Sequence, residues 1–248
     1  MIKGIYTAAS SMVTNQRKMK LVANNLANVN TAGYKRDEGI QVSFPEVFIS
    51  RLEKGQATPL GELGTGVKIE EDYTDFREGQ MNHTGNPLDV AIDGNGFFVV
   101  ETPRGRRYTR NGNFTVNEQG QIVTQQGYPV LGERGPLQTI RGRNISINTD
   151  GQLYLDNLEG DRLLIVDFEN RQGLRKIGEN LYVNEGIREI QASDYQIKQG
   201  YLETSNVNIV KEMVRMIEVN RAFEVNQKVI KNADQTLSKA VNNVGKLG

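Results

Sequence analysis

A single histidine and no cysteine are present in 248 residues. Thiolate nucleophiles, disulfides and Cys-ligated metals are thereby excluded. The histidine, His83, sits in Gly-Gln-Met-Asn-His-Thr-Gly-Asn-Pro (79–87), a turn-like stretch with no clustered carboxylate to make it a base or a metal ligand. No Gly-x-Ser-x-Gly elbow presents a serine nucleophile. Asp93-Gly94-Asn95-Gly96 resembles the opening of a calcium loop, but the sixth-position glycine and twelfth-position glutamate are missing, so a β-turn is expected. Residues 61–67 (GELGTGV) lack both the order of a phosphate-binding glycine loop and a following helical pattern. No catalytic, cofactor or metal set emerges, and a non-enzymatic protein is expected.

Charge offers a second kind of chemistry. The net charge is zero, but residues 1–36 carry six basic residues (Lys3, Arg17, Lys18, Lys20, Lys35, Arg36) and no acid, and residues 206–248 sum to +3. The middle, 37–205, therefore sums to −9. Basic runs at 103–110 (PRGRRYTR) and 141–143 (RGR) contain one aromatic and lie within that acidic middle, which argues against nucleic acid as partner. A regulatory or nucleic-acid-binding coiled-coil protein, motivated by the basic N-terminal segment, is the alternative; it predicts duplex binding that weakens steeply with salt. The hydrophobic content of 37% is low for one compact core and suits an elongated or modular chain. No apolar run reaches the length of about 18 residues that a membrane span needs. The N-terminal stretch also lacks the apolar core of a secretory signal, so any export is expected to take another route.

The elements that would position a functional surface are clearest at the two ends. Residues 3–29 read as one helix. Ile5, Ala9, Met12, Gln16, Met19, Ala23 and Leu26 alternate spacings of four and three, the seam of a coiled coil. Thr31-Ala32-Gly33 is the expected stop, with Asn30 or Gly33 in the left-handed cap. Asn24, Asn25, Asn28 and Asn30 crowd the end of this helix although asparagine side chains compete for backbone hydrogen bonds. At about 100° per residue Val22, Leu26 and Val29 share one face, whereas Asn24 and Asn28 point away from it.

A second helix is expected over 207–244, with Ser205 as N-cap and Asn206 and Asn208 in its first turn. Ile209, Met216, Phe223, Ile230, Leu237 and Val244 form an every-seventh column, and Met213, Asn220, Gln227, Asp234 and Val241 are its expected partner positions. Another stripe, Val210, Val214, Ile217, Ala222, Val225, Val229 and Ala233, runs along the same helix. Two stripes require more than one neighbour.

Between the helices, short apolar or alternating runs are punctuated by Gly, Asn and Asp, as strands and turns are. Val116–Ile122 and Ile147–Leu153 repeat one pattern, a strand, a glycine turn and a strand. Residues 1–35 are expected to form an N-terminal assembly helix and cap, 36–63 an extended connector, 64–205 a central β-rich domain and 206–248 a C-terminal coiled-coil helix. The expected class is α+β, with long terminal helices in coiled-coil packing around a central β-rich domain.

Residues 24–36 (NNLANVNTAGYKR) and 200–230 (GYLETSNVNIVKEMVRMIEVNRAFEVNQKVI) resemble the two terminal signatures of the bacterial flagellar rod and hook proteins. Middle segments 85–100, 108–132 and 178–183 (GENLYV) resemble the distal-rod members, as does 201–208 (YLETSNVN), while 127–137 (GYPVLGERGPL) looks like the proximal ones; the distal group is slightly favoured. The resemblance implies a structural subunit of the basal-body rod, a hollow axial polymer that transmits torque from motor to hook. Its implied partners are other copies of itself, neighbouring rod and hook proteins, and the flagellar type III apparatus that exports it uncleaved to the basal body outside the cytoplasmic membrane. Asn24, Asn25, Leu26, Ala27, Asn28, Gly33 and Tyr34 match the N-terminal motif, and Ser205, Asn206, Val207 and Asn208 the C-terminal one. Their implied role is intersubunit packing, joined by the heptad residues Met216, Phe223, Ile230 and Leu237. No cofactor is implied.

Overall fold

The computed structural model describes residues 2–53, 56–139, 144–156 and 158–244. The basic run at 141–143 lies outside them. The chain is α+β: helix α1 (Ile2–Ala27) opens it, helix α2 (Ile209–Val244) closes it, and strands fill the middle. It divides into two compact units, one made of Met1–Leu26, Asp37–Tyr73 and Asn208–Gly248, the other of Ala27–Arg36 and Thr74–Val207.

In the first unit the segment expected as an extended connector carries strands: β1 (Asp37–Ser43), β2 (Val47–Glu53) and β3 (Gln56–Leu63), followed by β4 (Val67–Thr74). β1 pairs with β4, and β2 pairs antiparallel with β3 from Val47↔Leu63 onward. Two-stranded ribbons draw on backbone pairing and need few apolar residues, so their composition resembles that of a linker. α1 lies against β4. Thr14 Oγ1 donates to the Val67 carbonyl (3.2 Å), and Arg17 donates to the Ile69 carbonyl (3.4 Å) and to Asp72 (3.0 Å). Among the described residues of α1 in this unit Ala8, Thr14, Val22 and Asn25 are buried, whereas Gln16 and Ala23 of the expected seam are exposed. The strand, absent from any helical-wheel argument, has chosen the buried face.

α2 runs 36 residues, about 54 Å at 1.5 Å per residue. Its N-cap is Asn208, whose Oδ1 accepts from the Lys211 N–H (3.0 Å). Ser205, the expected cap, instead accepts from the Val207 N–H (3.3 Å), because the helix begins two residues later than the pattern suggested. Among the described residues of α2 only Glu212 is buried, while Met216, Val219, Phe223, Asn226, Ile230, Ala233 and Leu237 are half-buried. From Met216 to Leu237 the every-seventh column is thus joined by the positions three residues after it, while Ile209, its first member, is exposed. The expected partners three residues before it, Met213, Asn220, Gln227, Asp234 and Val241, are exposed. Both choices satisfy a heptad, and periodicity alone cannot decide between them. Val210, Met213, Val214, Ile217, Val225 and Val229 are all exposed; at about 100° per residue Val210, Val214, Ile217 and Val225 occupy the side opposite the half-buried column, and Met213 and Val229 flank it.

The second unit is built on a six-stranded sheet. From edge to edge it runs Leu174–Gly178, Leu181–Asn184, Gly105–Thr109, Phe97–Thr102, Ile165–Phe168 and Glu189–Gln191. Its central strand is apolar on both sides. Phe98 and Val100 enter one core with Val90, Ile92, Val130 and Leu153, and Phe97 and Val99 enter another with Phe168, Leu174 and Tyr182. Burial on both faces is why this strand reads as a continuous apolar run. The two similar segments fold alike: Ile122 pairs with Val116 and Leu153 with Ile147, and each turn repeats the same bonds, Asn117 N–H to Gln121 O and Asn148 N–H to Gln152 O.

Candidate functional site

The residues with the most structure around them are those ending α1 and preceding α2. Three of the four asparagines near the end of α1 resolve into different roles. Asn25 is buried and behaves like a strand partner: its Nδ2 donates to the Asp37 carbonyl (2.8 Å) and its Oδ1 accepts from the Asp37 N–H (2.9 Å). The same Nδ2 lies 3.5 Å from Glu212 Oε2, which brings the start of α2 to the end of α1 within the first unit. Arg215 reaches both Glu212 (3.2 Å) and Glu38 (3.6 Å). A small cleft of about 210 Å³ beside these groups is lined by Lys18, Leu21, Val22 and Val219 among others. Asn28 Oδ1 accepts from Thr31 Oγ1 (3.3 Å) and so caps the turn after the helix. Asn24 is exposed and Leu26 half-buried.

In the second unit Gly33 takes a left-handed φ of +67° and donates its N–H to the Glu203 carbonyl (2.8 Å); α1 has already ended at Ala27, so Gly33 shapes a later turn and is not the helix cap the pattern suggested. Tyr34 is buried beneath the Lys176 ammonium, 4.1 Å from the ring centre. Lys35 turns inward. Its Nζ donates to the Arg77 carbonyl (2.9 Å) and pairs with Glu203, the two side chains being 1% and 0% exposed. Glu203 also accepts from the Gly79 N–H (2.9 Å) and faces Arg110 at 3.5 Å. Arg110 donates to the carbonyls of Ile92 (3.2 Å) and Gly94 (2.7 Å). One buried carboxylate thus answers two buried cations. Burial holds the Lys35 ammonium below the ordinary lysine range, Glu203 opposing that shift and Arg110 adding to it.

Asn206 completes this arrangement. Its Oδ1 accepts from the Arg36 N–H (2.8 Å), and its Nδ2 donates to the carbonyls of Asp75 (2.8 Å) and Arg77 (3.0 Å). Ser205 and Val207 are buried on either side. The two motifs therefore meet: Gly33, Tyr34, Lys35 and Arg36 are tied to Glu203 and Asn206. Lys35 and Glu203 went unnoticed in the sequence because 168 residues separate them, and the only local signal is a charge inside each motif. The basic N-terminal segment is also largely engaged, since Arg17 pairs with Asp72, Lys18 with Gln41 and Lys35 with Glu203. His83 is exposed and sets its ring edge against Tyr201, centroids 4.9 Å apart. Among the described residues no group of three or more His, Cys, Asp or Glu is placed to hold a metal, and no helix is long and apolar enough to cross a membrane.

Such an arrangement fixes the segment ends and packs the two motifs together, and the chain is similar to proteins of known kind. Three family profiles match: flagella basal body rod protein over 5–35, the flagellar hook protein FlgE/F/G D1 domain over 91–155, and the flagellar basal body rod FlgEFG protein C-terminal over 198–243. The chain is 33% identical to the flagellar hook-basal body complex protein FlhO of Bacillus subtilis, spanning all of both proteins. It is 36% identical to the flagellar basal-body rod protein FlgG of Buchnera aphidicola over 96% of this chain and 98% of that one. It is 35% identical to the flagellar basal-body rod protein FlgF of Caulobacter vibrioides over the whole of both. Identity at this level over full length, with the matched regions falling on α1, the β-rich middle and α2, means that the chain belongs to the flagellar basal-body rod and hook protein family.

Proposed function

We propose that the chain is a subunit of the basal-body rod that polymerises through its terminal helices into a hollow shaft transmitting torque from motor to hook. The observation that carries this is α2. It has apolar residues on two opposite sides, one half-buried along Met216, Phe223, Ile230 and Leu237, the other exposed along Val210, Val214, Ile217 and Val225. A helix apolar on both sides needs several neighbours, and two different contact surfaces suit the head-to-tail association that builds open filaments. In this reading the heptad column and its opposite face make coiled-coil contacts with adjoining copies. Asn24, Leu26 and Asn28 are assigned to intersubunit packing in the same reading, while Asn25, Gly33, Tyr34 and Ser205–Asn208 fix the local backbone of their motifs. Neighbouring rod and hook proteins and the flagellar type III apparatus are the further partners. The distal-rod position is favoured by the segments at 178–183 and 201–208 and by the FlgG relatives among the matches. The nucleic-acid alternative is weakened because Arg17, Lys35 and Arg36 of the basic N-terminal segment pair with carboxylates of the same chain.

Val214 and Val225 are 49% and 58% exposed, so Val214→Asp with Val225→Asp should leave the stability of the single chain within about 0.5 kcal/mol. Motility should be lost because two carboxylates would be buried without partners on assembly. Swimming cells carrying this double variant would contradict the proposal; loss of monomer stability by the same change would place these valines in the chain's own fold.

A further inference from the structure

The sequence contains two Asn-Gly pairs, Asn95-Gly96 and Asn111-Gly112. In such a pair the missing β-carbon lets the next amide nitrogen approach the asparagine carboxamide. The structure treats the two pairs differently. Asn95 is exposed in the link between Val90–Gly94, which pairs with Tyr195–Gln199, and Phe97–Thr102 in the six-stranded sheet. Its backbone N–H donates to the Asp194 carbonyl (2.9 Å), but neither its carboxamide nor the Gly96 N–H has a hydrogen-bond partner among the described residues. Gly96 has φ +133°, and a β-carbon there would lie 2.6 Å from Ile165 Cγ2. Packing therefore demands glycine at 96, and the reactive pair is retained for a reason unrelated to its reactivity.

Asn111 is half-buried and more firmly held than Asn95. Its Oδ1 accepts from the Asn113 N–H (3.0 Å) and its own N–H donates to Thr109 Oγ1 (3.0 Å). The Gly112 carbonyl accepts from the Val90 N–H (3.0 Å), and a β-carbon on Gly112 would meet the Val90 carbonyl oxygen at 1.6 Å. Gly33 packs against the Arg110–Asn111 backbone from another direction. Ring closure at Asn111 requires this packing to open first.

We propose that Asn95 is a site of spontaneous deamidation in the folded chain. The Gly96 nitrogen attacks the Asn95 Cγ, a C–N bond forms, the Cγ–Nδ2 bond breaks, and ammonia leaves with the proton of the Gly96 N–H. Water then opens the succinimide at one of its two carbonyls, giving aspartate or isoaspartate. Either product adds a carboxylate next to Asp93, whose existing partner is Lys198 at 2.5 Å. The isoaspartyl product also lengthens the link by one backbone carbon. No enzyme or cofactor takes part; water is the only co-reactant.

The test incubates the full chain in mildly alkaline buffer and follows peptides containing Asn95 and Asn111 by mass spectrometry, with enzymatic methylation to detect isoaspartate. In the native chain Asn95 should convert at least about tenfold faster than Asn111, a barrier difference of about 1.4 kcal/mol. In urea the two should convert at similar rates. Asn95→Gln should abolish the early isoaspartate signal without moving the thermal midpoint. Equal rates in the native chain, an inert Asn95 beside a reactive unfolded control, or an isoaspartate signal that survives Asn95→Gln would each overturn the assignment.

Discussion

Glu203→Ala should destabilise the chain by about 3–5 kcal/mol, because it removes one partner of a buried ion pair and leaves the other charged. The Glu203 carboxylate is 0% exposed and stands between the Lys35 ammonium and the Arg110 guanidinium. Lys35 would keep a carbonyl partner, Arg77, and Arg110 would keep Ile92 and Gly94, yet two like charges would lose the buried carboxylate that faces them both. The Gly79 N–H would lose its acceptor as well. Glu203→Gln retains an acceptor oxygen for Gly79 but not the charge, and should fall between wild type and Glu203→Ala. Urea unfolding followed by circular dichroism measures both, with an unchanged slope marking a stability effect rather than a change in the unfolded state. Since whole domains are stable by about 5–15 kcal/mol, the alanine variant should be largely unfolded at elevated temperature. A loss under about 1 kcal/mol would show that water enters and neutralises the need for the pair.

Gly33→Ala should cost about 2–5 kcal/mol, through two effects that no side-chain rotation relieves. The backbone at Gly33 has φ +67°, a region that disfavours any residue with a β-carbon. That β-carbon would lie 2.4 Å from the Arg110 carbonyl carbon, 2.5 Å from the Asn111 nitrogen and 2.6 Å from the Arg110 oxygen. These are backbone atoms, so relief requires the 27–36 segment to lift away, breaking the Gly33 N–H bond to Glu203 and straining the Lys35 pair beside it. Gly4 is the control, since nothing lies within 4 Å of its would-be β-carbon and it sits in α1. Gly4→Ala should stabilise by about 0.4–1 kcal/mol. Thermal unfolding of the two variants should move in opposite directions; a neutral Gly33→Ala would mean that the segment is not docked as described.

What the sequence disclosed and what it hid follow one physical division. The every-seventh column of α2 and the twin Asn-x-x-Gly turns were legible because helix and turn geometry act over a few residues. The left-handed backbone at Gly33 was legible for the same reason, although α1 ends at Ala27, before it. Which side of the α2 column turns inward was not, because Asn220 and Asn226 are equally good heptad neighbours of Phe223 until a specific packing partner is fixed. Residues 36–63 looked like a linker since strand pairing is made by backbone atoms that every sequence has. Asn25 was hidden among identical residues, and only the position of the Asp37 backbone distinguishes it from Asn24. Lys35 and Glu203 meet across most of the chain, and long-range pairing of charges leaves no mark in local pattern. The family resemblance covered this gap by naming both motifs as important, but not by saying that they hold each other.

The rod assignment is tested most directly by electron microscopy of basal bodies isolated from cells in which this chain alone has been deleted, with the intact gene restored as control. A structural subunit of the axial shaft cannot be bypassed, so the deletion strain should be non-motile, its basal bodies should end in a truncated rod without hook, and complementation should restore full length. An intact rod and hook on motile cells lacking the chain would contradict the account.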